Sequence, residues 1–139
     1  MEDKRERKTI NEDGGVRETN SYKGLFYCMS TAGLRRLSAR YKYGFIKYGA
    51  SDNYKKGLPA SDCIDSCFRH LVAYLEGDNS EDHLAAVAWN AFCIMEMECN
   101  NPKYCNITTR QDIKPEECMA DYYLDIAYRN MKKDEEETK

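Results

Sequence analysis

Two apolar-periodic segments joined by a very short turn constrain this chain more than any other feature. Ile64, Cys67, Phe68, Leu71, Val72 and Leu75 recur at helical spacing and stop at Gly77. Leu84, Val87, Ala91, Ile94 and Met95 recur in the same way up to about Cys99. Only GDNS, residues 77–80, separates them, so the two helices must pack antiparallel. Pro59 suits the first turn of the earlier helix. Ser80 is the expected N-cap of the later one, with Glu81 and Asp82 in the first turn, where the helix dipole favours acids.

At a rise of about 1.5 Å per residue, groups equally far from the turn lie level. Asp65 then stands level with Asn90, and Arg69 and His70 with Ala86 and Val87. Glu81, Asp82 and His83 sit nearer the turn, opposite Ala73 to Glu76. Asp65 and Arg69 form an i,i+4 pair, and His83 shares a face with Asn90. The outcome is a polar track along an otherwise apolar seam. Two readings of it stand at this point. One is a self-satisfied hydrogen-bond network that fixes helix register. The other is a site that needs only a cation, for which Asp62, Asp65, Glu81 and Asp82 offer hard oxygen ligands suited to Mg²⁺ or Mn²⁺.

Two further helices complete an all-α reading, a bundle of about four. The first starts near Ser30 or Thr31 and ends at Gly49, with Leu34, Leu37, Tyr41 and Phe45 as its stripe. Gly44 inside it permits a close approach by a helix or a ligand. The last opens at Pro115 after a Pro- and Asn-rich loop. Residues 1–20 read as a disordered charged tail, 21–133 as one domain and 134–139 as a fraying acidic tail.

Charge is unevenly spread. Residues 21–58 hold eight Lys or Arg against one acid, whereas residues 59–139 hold eight against 17. A basic segment folded onto an acidic one suits an anionic ligand that brings a divalent cation, or simple complementarity between helices. On the basic side lie Lys47 and the turn DNYKKG, which offers Asn53, Tyr54 and Lys55. Its lysines either hold phosphates as point charges or are solvated, and its tyrosine is placed to stack on a base. No apolar run is long enough to cross a bilayer, and MEDKRERK has no signal-peptide core, so a cytoplasmic protein without membrane or sequence-specific nucleic-acid partners is expected. Seven cysteines, an odd number without a CxxC pair, read as reduced structural thiols. Phosphate loops, dinucleotide fingerprints, nucleophile elbows and zinc-protease motifs are absent, which leaves metal-assisted attack by water as the available chemistry.

The spaced pattern GxxKYGxxxNxxxG, DSxxRHLxxYLEG and EDHLAAxAWN resembles a phage and bacterial family, the N-terminal domain of dATP/dGTP diphosphohydrolases, related to all-α pyrophosphohydrolases of MazG type. The likeness spans roughly residues 30–98, and DSxxRHL and EDHLAAxAWN are its specific parts. It implies a helical homo-oligomer that binds a purine deoxynucleoside triphosphate with Mg²⁺ or Mn²⁺ and releases pyrophosphate. Carried over by position, Asp65, Glu81 and Asp82 hold metal, and His70 or His83 orients water or acts as base. Lys47, Asn53, Arg69 and Asn90 also match the pattern and are expected to bind nucleotide; Tyr54 and Lys55 depart from it, standing where the family has Trp and an acid, and are expected to stack on a base and hold phosphate. The family's first helix has a Pro-Glu-Ala-Leu start and a glutamate two residues before its glycine; here those places read STAGL and Lys42. Two functional expectations follow: a pyrophosphohydrolase, or a relative that captures a nucleotide, such as a signalling nucleotide in phage–host conflict, without turning it over. A helical scaffold with a structural polar seam is the third.

Overall fold

The computed structural model describes residues 6–20, 24–107 and 119–138. The chain divides into two compact units, Met1–Phe26 with Glu116–Lys139, and Tyr27–Pro115.

In the first unit, β1 (Glu6–Ile10) and β2 (Val16–Asn20) pair antiparallel with Ile10 opposite Val16 and Glu6 opposite Asn20. These strands fall within residues 1–20, which the sequence reads as a charged tail. Turn chemistry, rather than apolar alternation, makes the hairpin. Asn11 N–H donates to the Gly15 carbonyl and Gly14 N–H to the Asn11 carbonyl, both at 2.9 Å. Gly14 sits at φ +82°, where a side chain would be strained. The same unit contains α4 (Met119–Glu137), steadied by an i,i+4 ion pair between Asp125 and Arg129. Its expected start at Pro115 lies outside the described residues. The acids at 134–137, expected to fray, are its last turn.

The second unit holds α1 (Thr31–Tyr48), α2 (Ala60–Leu75) and α3 (His83–Asn100). Helix α1 begins as expected, with Ser30 Oγ accepting from Gly33 N–H at 3.0 Å, and ends on Gly49 at φ +74°. Helix α3 begins two residues later than Ser80 would have it. The Ser80 N–H donates to Asp78 Oδ1 at 2.8 Å in an Asx turn, and Asp82 is the cap, its Oδ1 accepting from Ala85 N–H at 3.1 Å. Glu81 therefore stands ahead of the helix rather than on it.

Helices α2 and α3 form the expected antiparallel hairpin. Asn90 Nδ2 donates to Ser66 Oγ at 3.2 Å, Cys67 Sγ to the Val87 carbonyl at 3.6 Å, and His70 meets His83. The first two pairings agree with the level count to within a residue; His70 meets His83 three to four residues nearer the turn than Ala86 and Val87, where the count puts it. Helix α1 lies along α3, where Arg36 reaches Asp82 and Tyr41 meets Trp89. Loops close the far end. Asn106 accepts from Ser61 N–H at 3.0 Å and donates to its Oγ at 2.8 Å, capping α2 in place of Pro59. The Tyr104 ring lies so close to Gly57, at φ +125°, that a Cβ there would stand 2.2 Å from it.

Among the described residues the buried apolar core is small: Leu37, Ala60, Cys63, Ala85, Ala86, Cys93 and Met97, with Cys93 and Met97 the largest wholly enclosed side chains. Much of the apolar surface expected inside is not. On α2, Phe68 is 65% exposed, Val72 51% and Leu75 81%; on α1 only Leu37 of the expected stripe is buried. The reason is geometric. The apolar stripe of α2 is wider than the seam α3 covers, and alanines at 85 and 86 bring the helices close without filling space beyond it.

Candidate active site on the α2–α3 seam

Three ligand atoms converge where the hairpin turns. His70 Nδ1 lies 2.9 Å from His83 Nδ1 and 3.2 Å from Glu81 Oε1, and Glu81 Oε1 lies 3.7 Å from His83 Nδ1. His70 arrives on the last turns of α2, His83 on the first residue of α3, and Glu81 on the extended residues released because α3 starts late. Among the described residues this is the one group of three or more His, Cys, Asp or Glu ligands close enough to hold a metal ion. His83 is buried, and its Nε2 faces Asp78 Oδ2 at 3.3 Å without hydrogen-bond geometry.

Arginines from α1 overlie the acids. Arg36 makes a two-pronged contact with Asp82, Nε to Oδ2 at 2.8 Å and Nη2 to Oδ1 at 2.6 Å. Arg40 Nη1 lies 3.7 Å from Glu81 Oε1. The Arg36 hydrogen bond, more than any other contact, lowers the Asp82 pKa to about 2. Asp78 is held low too, chiefly by the Ser80 backbone N–H. Burial lowers the His70 pKa, reinforced by Arg40, His83 and Arg69 and opposed by Glu81. His70 therefore favours the neutral form, which leaves it a lone pair to ligate or accept a proton.

Farther along the α1–α3 contact an open cleft is lined by Tyr41, Gly44, Tyr48, Asn53, Tyr54 and Trp89, among others. Three rings meet edge-on there: Tyr41 to Tyr54 at 5.4 Å, Tyr41 to Trp89 at 6.3 Å and Tyr54 to Trp89 at 6.4 Å. Gly44 leaves open space at that wall. Burial pushes the Tyr41 hydroxyl up to about 12.

The expected site residues fall into separate groups. His70, Glu81 and His83 come together. Asp82 is next to them but is engaged as helix cap and Arg36 partner. Asp65 and Arg69 are exposed on α2, and Asp65 is outside the converging group. Asn53 and Tyr54 line the cleft; Lys55 Nζ stands 5.9 Å from the Tyr54 ring centre and Lys47 Nζ 5.2 Å from that of Tyr48. Asn90 is buried, donating to the Ala86 carbonyl at 2.8 Å as well as to Ser66, so the structure gives it a place in the helix seam. Sequence reasoning missed Arg36, Arg40 and Asp78. The first two lacked any spacing signal across 46 and 41 residues of separation; Asp78 was visible as the Asx residue of GDNS.

A model of the dATP/dGTP diphosphohydrolase N-terminal family matches residues 14–107, which take in α1, α2 and α3. The chain belongs to that family. No curated protein and no solved structure matches it. The diphosphohydrolase match covers the whole His70–Glu81–His83 group and the aromatic cleft, and stops short of α4. Metal dependence and a nucleotide substrate are what such a family suggests. The donor set fits a divalent cation: two imidazoles and a carboxylate meet at ligand spacing. Among the described residues no helix is long and apolar enough to cross a membrane.

Proposed function

We propose that the protein binds a purine nucleoside triphosphate with a divalent cation, Mg²⁺ or Mn²⁺, and hydrolyses it to the monophosphate and pyrophosphate. The convergence of His70, Glu81 and His83 within 3.7 Å, inside the region the diphosphohydrolase family matches, carries this reading. Glu81 and the two histidines would hold the cation. A bound divalent ion would neutralise triphosphate charge and acidify a coordinated water. Arg40 stands beside Glu81 and, with the exposed Arg69, supplies positive charge for the phosphates. The ring cluster of Tyr41, Tyr54 and Trp89 offers the base a stacking surface, with Lys47 and Lys55 nearby for phosphate. Asp65 and Asp82 act here through charge rather than as members of the converging group. A homo-oligomer would cover the apolar stripe Phe68, Leu71, Val72 and Leu75.

A second reading, capture without turnover, draws on Arg36 and Arg40. They engage Asp82 and Glu81, and α1 presents Lys42 where the family pattern has an acid, so the carboxylates left to clamp a cation are few. Incubating the protein with each purine triphosphate and Mn²⁺, then chromatographing the products, separates the two. Pyrophosphate release that Glu81→Ala abolishes supports the hydrolase. Intact nucleotide recovered from the heated protein supports capture and sinks hydrolysis.

A further inference from the structure

We infer that His70 Nδ1, His83 Nδ1 and Glu81 form a site for a borderline transition ion such as Zn²⁺, Co²⁺ or Mn²⁺ that fills without nucleotide, and that Asp78 positions His83 within it. The inference deepens the function proposed above by naming the class of cation and the residue that orients its ligand. A tetrahedral ion with bonds of about 2.1 Å holds its donors about 3.4 Å apart. The three donor separations here, 2.9, 3.2 and 3.7 Å, straddle that spacing. Two imidazoles in the set favour Zn²⁺ or Co²⁺, with Mn²⁺ held more weakly, and Mg²⁺, which takes oxygen donors and keeps its waters, is the poorest fit.

The buried ring of His83 supplies the independent observation. Its Nε2 is enclosed and has no hydrogen-bond partner, while the Asp78 carboxylate waits 3.3 Å away. A carboxylate beside one imidazole nitrogen fixes the proton there and turns the other nitrogen's lone pair to the metal. Asp78 is itself held by the Ser80 N–H, so its orientation is part of the turn. With Nε2 protonated, His83 Nδ1 is an acceptor facing His70 and Glu81. Arg40 is the opposing element: its guanidinium, 3.7 Å from Glu81 Oε1, competes with a cation for that oxygen.

The test is calorimetric titration of the full chain with Zn²⁺, Co²⁺ and Mg²⁺, each without nucleotide, with the visible spectrum of the Co²⁺ form recorded. One Zn²⁺ or Co²⁺ per chain is expected, with a tetrahedral Co²⁺ spectrum free of thiolate charge-transfer bands, and much weaker binding of Mg²⁺. Because His83 is buried, variants at more accessible positions decide the matter, each checked by circular dichroism. His70→Gln should remove the site. Asp78→Asn should weaken it about tenfold, the scale of outer-shell changes, and Arg40→Ala should tighten it. Absence of binding, thiolate bands, or Zn²⁺ affinity unchanged by His70→Gln would overturn the assignment. An unchanged affinity in Asp78→Asn would overturn the positioning role. Since no nucleotide is present, a positive titration with no pyrophosphate release leaves this site standing and removes only hydrolysis.

Discussion

Replacing Asp82 separates two roles that the structure assigns to one carboxylate. Its Oδ1 caps α3 through Ala85 N–H, and both oxygens receive Arg36. Loss of an N-cap costs about 1 kcal/mol. The Arg36 contact is two-pronged, but the side chains are 55% and 36% exposed, so solvent screening makes it the smaller of the two contributions. Asp82→Ala should then cost about 1 kcal/mol or more, and Asp82→Asn, which keeps a good cap, only the smaller ion-pair part. The assay is urea unfolding followed through Trp89, the chain's one tryptophan, which sits on α3 against Tyr41 and Tyr54. Acid provides a second handle. Folding depresses the Asp82 pKa from 3.8 to about 2, so its stabilisation is complete above about pH 4 and is lost as pH falls towards 2. Asp82→Asn should flatten that part of the acid limb. Equal costs for Ala and Asn would refute the cap. A double-mutant cycle between Arg36→Met and Asp82→Asn with no coupling would refute the ion pair.

Asn90→Ala should cost about 1–2 kcal/mol through the lost bonds to Ser66 and the Ala86 carbonyl, while calorimetric nucleotide affinity stays unchanged. Gly57→Ala should lower stability by about 2 kcal/mol or more, since it meets both the left-handed backbone and the Tyr104 ring; thermal melts of Gly57→Ala with and without Tyr104→Ala would show only partial recovery in the pair. Purine nucleotides should quench Trp89, and Tyr54→Ala should weaken their binding at least fivefold, the lower end of a base–aromatic stack of about 1–3 kcal/mol. Leu75→Glu on the exposed α2 stripe should reduce the mass seen by light scattering, if a second copy covers that stripe.

The hairpin of α2 and α3 was legible because GDNS leaves the chain one way to return, and counting from that turn set which residues meet. Helix α1 announced both its ends through Ser30 and Gly49. The same count put His70 level with Ala86 and Val87 and set His83 nearer the turn, so it brought out neither their meeting nor Glu81 as their partner. That depended on α3 starting at His83 rather than after Ser80, a choice made by competing side chains: Asp78 takes the Ser80 N–H and leaves Asp82 to cap. Arg36 and Arg40 were invisible because long-range charge pairs have no period. The width of the α2 stripe showed how much surface wants cover, but not how much α3 would provide. The N-terminal hairpin failed to register because its strands are charged and only its turn is diagnostic.

The sulfur-rich core has a consequence for how the seam can be watched. Burial pushes the Cys93 thiol up to about 12 and raises Cys63 and Cys67 as well, and only a thiolate reacts with alkylating reagents. At neutral pH a reagent meets these sulfurs when α2 breathes away from α3, so their labelling rate reads out an opening frequency. Cys28, exposed outside the seam, reacts without waiting and serves as the internal reference. Anything that bridges His70 to His83 closes the two helices near their turn and slows the buried thiols while leaving Cys28 alone. The protein thereby contains its own clock for occupancy of the seam.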